Sequence, residues 1–349
     1  MRSGLLVYGD DPPHRLLELA GLAEELGYDC LWHADEKFYR DPFVGLALLA
    51  ANTRRMELGV CVTEPYARHP ALIAMAMASL AELAPGRMVL GLGAGGSGFP
   101  AMGVERRRPA AALRETVGII RALLSGETVD HEGEVISCHN GRLNFDPPER
   151  APIVFGTRGR LLLRLAGEVA DGVMMAPYAS ARSLGLAMAS VAEGVRRSGR
   201  QPGDVQRIAR VDLCISSDAA AARRAVKPGI VLPLWTSYPR FDFLDPLGLP
   251  PVPGPLLEVL ARRDYSLIAP NAHLAPDEYV RHLAVAGTLE QVTRQMVEIA
   301  GAGVDQITIK PVAPPGGAVD EIIRAFAAQV MPVVRQALPP AGGSSHVAC

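Results

Sequence analysis

Two loops of this 349-residue chain combine glycine with residues able to contact a phosphate or a flat ring. The first is the run GLGAGGSG at residues 91–98, which follows an apolar strand pattern. Its glycines let a ligand approach the backbone closely, and their spacing approximates the GxGxxG motif of dinucleotide-binding folds. That motif should follow the first strand and precede an acid about 20 residues later, which does not fit here. The run therefore predicts a ring- or phosphate-binding turn, with a merely tight strand-to-helix connection as the alternative.

The second loop contains Thr157, Arg158 and Gly159, between a strand pattern and a helix pattern that begins near Arg160. Backbone N–H groups at a helix N-terminus bind phosphate, and an arginine adds a bidentate contact. A solvated arginine on an ordinary loop is the alternative interpretation. Other catalytic motifs are absent from the sequence: it has no HExxH helix, no GxSxG elbow and no Walker loop.

The elements that must position these loops alternate between short β-rich runs and helical patterns, which is typical of parallel βα units. One helical face is formed by Leu113, Val117, Ile120 and Leu124. Eight candidate strands lie at residues 4–8, 29–34, 56–63, 87–93, 152–157, 172–176, 208–216 and 306–311. Eight strands with intervening helices predict an α/β fold of the (β/α)8 TIM-barrel type, with its active site at the C-terminal ends of the strands. A doubly wound fold of two halves is the competing architecture.

A minimal barrel needs about 250 residues, so the surplus must lie in insertions. We expect a single barrel domain at residues 1–338. A hairpin-like insertion is predicted at residues 127–150, and a larger one, rich in proline and aromatic residues, at 229–276. The segment 339–349 is rich in proline, glycine and serine and predicts a disordered tail.

The composition of the chain limits the classes of partner that it can bind. The chain has 35 Lys+Arg and 37 Asp+Glu, a formal net charge of -2, so it lacks the basic excess that recruits nucleic acid or an anionic membrane. Its 5 cysteines are dispersed without a CxxC pair, which argues against a disulfide framework. No signal peptide is evident, and the apolar segment 71–84 is too short to span a bilayer. We therefore expect a soluble, cytoplasmic protein with a small-molecule partner.

Four segments carry a resemblance to a known family. In order they are residues 35–43 (DEKFYRDPF), 58–70 (LGVCVTEPYARHP), 86–95 (GRMVLGLGAG) and 165–173 (LAGEVADGV). Over residues 4–335 the chain resembles the bacterial luciferase-like superfamily, specifically its deazaflavin (coenzyme F420) branch typified by methylenetetrahydromethanopterin reductase. The resemblance implies the luciferase-like TIM barrel and a cofactor at the C-terminal ends of its strands.

The resemblance also implies the residues that contact this cofactor. The family carries a bulge with a non-prolyl cis peptide bond on its third strand, which aligns here with Cys61 and Val62, and we expect Val62 to back the central ring. Gly93, Ala94 and Gly95 are expected beside the cofactor's chain, and Asp35 near its polar edge. Its phosphate is expected on the following residues: Gly156, Thr157, Arg158 and Gly159. Relatives that oxidise sugar phosphates have an acid where this chain has Gly96, which argues against a glucose-6-phosphate type of substrate.

The implied activity is that of an F420H2-dependent oxidoreductase, which transfers a hydride to a C=N or activated C=C bond of a small or natural-product-like substrate. A proton donor should then stand near the substrate, and the candidates are Glu36, Glu64 and Tyr66, with Asp10 behind them. Hydrogen bonding of Glu64 or Tyr66 to loop backbone is the alternative. An FMN-dependent luciferase-like monooxygenase, which uses reduced flavin and O2, and a non-catalytic relative remain open. The resemblance further implies a homodimer and no metal.

Overall fold

In the computed structural model, which describes residues 1–148 and 150–338, eight parallel strands close into a barrel. The barrel strands, in chain order, are β1 Arg2–Val7, β2 Cys30–Ala34, β3 Glu57–Thr63, β4 Met88–Leu92, β7 Ile153–Thr157, β8 Gly172–Met175, β9 Gln206–Ile215 and β11 Gln306–Pro311. Each predicted strand overlaps one of them. The predicted TIM barrel is therefore confirmed, and the doubly wound alternative is excluded.

Three further strands lie outside this ring. An antiparallel hairpin of β5 (Val129–His131) and β6 (Cys138–Gly141) lies within the predicted insertion at 127–150. Strand β10 (Val285–Gly287) pairs with the C-terminal part of β9, beyond the end of β8. The predicted tail at 339–349 lies outside the described residues.

Helices connect the strands and cover the barrel. They are α1 Pro13–Glu25, α2 Pro42–Asn52, α3 Pro70–Leu83, α4 Phe99–Met102, α5 Pro109–Leu124, α6 Arg160–Val169, α7 Ala181–Arg197, α8 Ala219–Ser237, α9 Gly254–Ala261, α10 Asp277–Leu283, α11 Leu289–Gly301, α12 Val319–Ala325 and α13 Met331–Ala337. Local sequence sets their starts: Asp41 accepts N–H bonds from Phe43 and Val44, with Pro42 at the first helical position of α2. The face predicted for α5 from Leu113 to Leu124 is buried as expected.

Two clusters of buried apolar residues form the core of the barrel itself. The larger fills the space between strands and helices, and a smaller one fills the barrel interior around Trp32. Gly59 is the register partner of Trp32 on the neighbouring strand, and a methyl group at Gly59 would lie 2.5 Å from the indole ring. The glycine therefore leaves the space that this large side chain occupies.

The larger insertion begins later in the chain than the composition indicates. Residues 229–237 continue helix α8, which contains Pro228 and Pro233, so the irregular segment runs from Tyr238 to Pro276 with short helices inside it. A separate apolar cluster around Trp235 and Leu256 packs this segment against α8. Within the described residues, no helix is both long and apolar enough to cross a membrane.

Candidate active site

A cleft of about 640 Å³ opens at the C-terminal ends of β2, β3, β4 and β7, and the end of α8 closes its far side. Most of the predicted site residues line it. These are Asp35, Glu36, Cys61, Val62, Glu64, Ala94, Gly95, Gly156, Thr157, Arg158 and Gly159. Gly93 and Tyr66 do not. The parallel barrel thus collects at one mouth residues that are more than 100 positions apart in sequence.

The peptide bond between Cys61 and Val62 is cis, as predicted. The pairing of β3 with β4 shifts register between Val60 and Thr63, so the bond lies in a bulge. Two glycines make room for Val62: a methyl group at Gly93 would lie 2.4 Å from Val62 Cγ2, and one at Gly156 would lie 2.6 Å from Val62 Cγ1. Gly93 is itself buried, so its contribution to the cleft is to admit the side chain of Val62.

The glycine loop after β4 has a backbone that other residues rarely adopt. Gly95 and Gly96 have φ values of 62° and 143°. A methyl group at Gly95 would also collide with the ring of Phe99, 2.3 Å away. Arg106 Nη1 donates to the Gly95 carbonyl at 3.3 Å and lines the cleft. Glycine is therefore required at position 95 both by its conformation and by its surroundings.

Lys37 joins two of the predicted acids. Its Nζ lies 3.1 Å from Asp35 Oδ1 and 3.0 Å from Glu64 Oε1, and all three side chains are largely buried. Burial lowers the pKa of Lys37, but the two carboxylates outweigh it and leave that pKa raised. Asp35 Oδ2 is buried and has no hydrogen-bond partner among the described residues. The cleft wall thus holds one carboxylate oxygen free to accept a hydrogen bond.

The three predicted proton donors have different surroundings in the structure. Glu64 Oε2 accepts backbone N–H bonds from Tyr66 at 2.7 Å and Ala67 at 3.0 Å, and the Tyr66 hydroxyl donates to the carbonyl of Arg107 at 2.9 Å. Both residues therefore show the backbone hydrogen bonding that the sequence left open as the alternative. Burial raises the pKa of Tyr66 to about 12, which makes its proton harder to release.

Glu36 has different surroundings. It lines the cleft, and its side chain is half-buried beside Ser97. Burial raises the pKa of Glu36, and this effect outweighs the hydrogen bond from Ser97 and the charges of Lys37 and Lys310, which lower it. A carboxyl group with a raised pKa stays protonated to higher pH, which is the property that a general acid needs.

Arg158 lies at the other end of the cleft, next to the N-terminus of α6. Its guanidinium donates to neutral oxygens only, at Ser237 (Nε to Oγ, 3.1 Å), Thr236 Oγ1 and the carbonyl of Pro233. Within the described ranges, no carboxylate lies within ion-pair distance of it. Burial lowers the pKa of Arg158 to about 10. The cleft therefore contains a buried cation without a protein anion, where a charged ligand group can bind.

The family model for luciferase-like monooxygenases matches residues 2–306. The chain belongs to this family.

Among curated relatives of this luciferase-like chain is a 5,10-methylenetetrahydromethanopterin reductase of Methanolobus tindarius, 31% identical over 90% of this chain and 95% of the relative. An F420-dependent glucose-6-phosphate dehydrogenase of Kineococcus radiotolerans is 34% identical over 60% of this chain and 66% of the relative. A solved structure of the coenzyme F420-dependent tetrahydromethanopterin reductase from Methanopyrus kandleri superposes with a TM-score of 0.83 at 24% identity, covering 95% of this chain and 98% of that one. The chain is thus a luciferase-like enzyme with F420-dependent relatives.

Several charged residues at the mouth of this luciferase-like barrel were missed by sequence reasoning. Lys37 lies inside a segment quoted for its resemblance, but its two partners are set by the register of β2 and β3. Arg210 and Asp212, beside the cleft, interrupt the apolar strand β9. Charges at the C-terminal ends of buried strands were the available signal, because such residues face the barrel mouth.

Proposed function

We propose that this protein is an F420H2-dependent oxidoreductase that transfers a hydride to a C=N or activated C=C bond of a small or natural-product-like substrate. The observation that carries the proposal is the buried guanidinium of Arg158, which faces the cleft without a carboxylate partner. A phosphate-bearing cofactor supplies the missing anion. FMN and the deazaflavin both carry a phosphate, so the choice between these two cofactors depends on the other residues of the cleft and on the relatives.

The residues present fit a deazaflavin. Val62, held between Gly93 and Gly156, would back the ring, with Cys61 beside it. Asp35 Oδ2, buried and unpartnered among the described residues, would accept an N–H of the ring's polar edge. Gly95 and the backbone near Ala94 would flank the cofactor's chain. The phosphate would lie on the group at the start of α6, which comprises Gly156, Thr157, Arg158 and Gly159.

The relatives support the same choice. Reductases and dehydrogenases named for methylenetetrahydromethanopterin or for F420 match this chain at 26–34% identity. A relative solved in complex with FMN is a Baeyer-Villiger monooxygenase that is 17% identical. At that level the likeness shows only the shared barrel.

The proposed mechanism assigns one role to each part of the cleft. A bound deazaflavin supplies the hydride, and the protein supplies orientation and a proton. Glu36 holds that proton on its carboxyl group, because its raised pKa keeps the group protonated closer to neutral pH. Tyr238 and Phe243 of the insertion line the cleft and exclude water from it. Glu64 positions Lys37 and the loop after β3 rather than the reacting atoms.

Cofactor titration tests the proposal. Purified protein is titrated with reduced F420 and with reduced FMN, while binding is followed by fluorescence and oxygen consumption by an electrode. We expect saturable F420 binding without oxygen uptake. Tight FMN binding with oxygen uptake, and no binding of the deazaflavin, would instead identify the alternative luciferase-like monooxygenase. Binding of neither would point to a non-catalytic relative.

We also propose a homodimer. Helices α2 and α3 are neighbours and expose Val44, Leu72 and Met75, whereas Met77 is buried in the core. Sedimentation equilibrium of the wild-type protein and of a Leu72→Glu, Met75→Glu variant tests this surface. We expect a dimer for the former and a monomer for the latter; a wild-type monomer contradicts the proposal.

A further inference from the structure

Strands β9 and β11 bring a second group of charged side chains to the barrel mouth. Arg210 and Asp212 are alternate residues of β9, and Lys310 is the register partner of Asp212 on β11. Arg210 Nη2 lies 2.8 Å from Asp212 Oδ1, and Lys310 Nζ lies 3.7 Å from Asp212 Oδ2. Lys310 Nζ also lies 4.6 Å from the centre of the Tyr8 ring. The three charged residues therefore form one cluster.

This cluster carries a surplus positive charge. Among the described residues, the carboxylate of Asp212 alone lies within ion-pair distance of the two cations. The carboxylates of Asp10 and Glu36 act on Lys310 only from beyond that distance. Burial lowers the pKa of Lys310, but Asp212, Tyr8 and Asp10 together outweigh it and leave that pKa raised, so Lys310 is charged at neutral pH. A buried charge of this kind is costly unless an anion pairs with it.

Asp212 is shielded from an incoming ligand. Its side chain is 3% exposed, whereas that of Lys310 is 25% exposed. Helix α8 packs directly on the carboxylate, since a methyl group at Gly229 would lie 1.7 Å from Asp212 Oδ2. A ligand that enters the barrel mouth beside Lys310 therefore contacts the cations and not the acid between them.

The cations border a cavity of about 220 Å³ that adjoins the cofactor cleft. Tyr8, Arg210 and Lys310 line it, and Cys61, Val62 and Arg158 are among the residues that line both spaces. Its volume equals roughly seven waters at about 30 Å³ each, enough for a small organic group. A ligand held by the cations thus lies against the Cys61–Val62 bond.

We propose that this cavity binds the carboxylate of a monoanionic substrate, so that the reducible C=C or C=N bond conjugated to it lies beside Val62. This assignment rests on the proposed function, because it places the substrate next to the ring that Val62 would back. Arg158 also lines this cavity, but it is assigned to the cofactor phosphate, so Lys310 and Arg210 leave a surplus of one charge for the substrate. That surplus matches a carboxylate, whereas a phosphomonoester brings about two negative charges at neutral pH. The substrate class is then an α,β-unsaturated acid or an imino acid.

The cations also serve the chemistry of such a substrate. A free carboxylate donates electron density into the adjacent double bond and resists hydride addition, and pairing with Lys310 and Arg210 withdraws that density. A bound reduced deazaflavin would supply the hydride, and with it the two electrons that the double bond gains. Glu36 would supply the proton, so the substrate gains one hydride and one proton as its π bond breaks, and the Glu36 carboxylate would recover its proton from water.

Calorimetric titration with crotonate and with its neutral analogue crotonamide tests the proposal on the purified protein, with and without bound F420. We expect crotonate to bind and crotonamide to bind at least about tenfold more weakly. Lys310→Met removes the surplus charge but leaves the Arg210–Asp212 pair, so it should abolish the preference for crotonate. Asp212→Asn adds to the surplus at a pH low enough to keep Lys310 protonated, and it should tighten crotonate binding there. F420 affinity, measured in parallel, reports on the proposed function separately.

Equal binding of crotonate and crotonamide to the wild-type protein would overturn the proposal, even if neither variant folds. Inorganic phosphate that binds more tightly than crotonate and depends on Lys310 would replace the carboxylate assignment with a phosphoester. Crotonate binding that depends on Lys310, in a protein that binds no F420, would uphold the anion pocket while the proposed function fails.

Discussion

The ammonium of Lys37 lies 3.0 Å from Glu64 Oε1, and the Glu64 side chain is only 1% exposed. Twenty-seven residues separate the two in sequence, yet the register of β2 and β3 places them at the same edge of the cleft. The pair links the loop that carries Asp35 to the loop that follows the cis peptide bond. It therefore fixes the relative position of two walls of the proposed cofactor site.

Replacing Lys37 tests this linkage. Lys37→Met leaves two buried acids without a cation, so the free energy of unfolding should fall by about 3–5 kcal/mol. The raised pKa of Lys37 means that this stabilisation is complete below its usual value of 10.5 and lost as pH rises through the higher folded value. Urea unfolding at pH values from 7 to 11 measures both the loss of stability in the variant and its dependence on pH. Arg107→Ala, which removes an exposed ion pair with Glu105, is the control and should change stability by under about 1 kcal/mol.

In the proposed mechanism, Glu36 supplies the proton. Glu36→Gln should lower kcat by about 10²-fold, the usual contribution of a general acid. In the wild type, kcat should fall as pH rises through the raised pKa of Glu36, because the acid must be protonated, and the variant should lack this limb. Tyr66→Phe is the matched comparison, since its hydroxyl contacts loop backbone outside the cleft, and it should retain the limb. A pH limb that disappears in Tyr66→Phe instead would reassign the donor.

Arg158 should matter more to the ligand than to the fold. Arg158→Met removes a buried cation that has only neutral partners among the described residues. Cofactor affinity should therefore fall by about tenfold or more, while the melting temperature without cofactor stays equal or rises. Arg160→Met serves as control because this neighbouring side chain is exposed and lies near Glu193. Equal cofactor binding by Arg158→Met and wild type would remove the phosphate site from this position.

The contact between Gly93 and Val62 can be tested by a double substitution. Gly93→Ala places a methyl group against Val62 Cγ2, which should cost about 1–3 kcal/mol of stability and displace Val62 into the cleft. Adding Val62→Ala should restore part of that stability, because the collision is removed. Gly21→Ala, on helix α1 with no atom within 4 Å, is the control and should be neutral or stabilising. Thermal unfolding of the wild type, Gly93→Ala, Val62→Ala and the double variant measures the coupling, and strict additivity would show that the two sites are independent.

The sequence predicted the barrel and the position of the cleft because strand patterns place each loop at a known edge of the sheet. It also identified Arg158 as a residue near the helix start. Its hydrogen bonds to Thr236 and Ser237 could not be predicted, because they join the loop after β7 to the end of a helix about 80 residues later. Local sequence contains no information on which helix closes the barrel mouth.

Two other differences between the sequence predictions and the structure have physical causes. The proline and aromatic content of residues 229–276 indicated an irregular insertion, but helix α8 extends to Ser237 and contains Pro228 and Pro233. Each proline removes only one backbone donor, and the buried face of α8 continues through Leu234 and Trp235. The residue types of Glu64 and Tyr66 suggested acid catalysis. The conformation of the loop after β3 decides which groups these two side chains contact. In the structure, that conformation gives both of them hydrogen bonds to backbone groups.

The hydrogen bonds of Arg158 to the last turn of α8 have a consequence for the order of ligand binding. A phosphate bound at Arg158 would compete with Ser237 and Thr236 for the guanidinium, and Thr236 also lines the cavity beside Lys310. Occupancy of the proposed phosphate site would then alter a wall of the proposed substrate cavity. By thermodynamic reciprocity, we expect the affinities for cofactor and substrate to be linked, with each ligand changing the affinity for the other by the same factor.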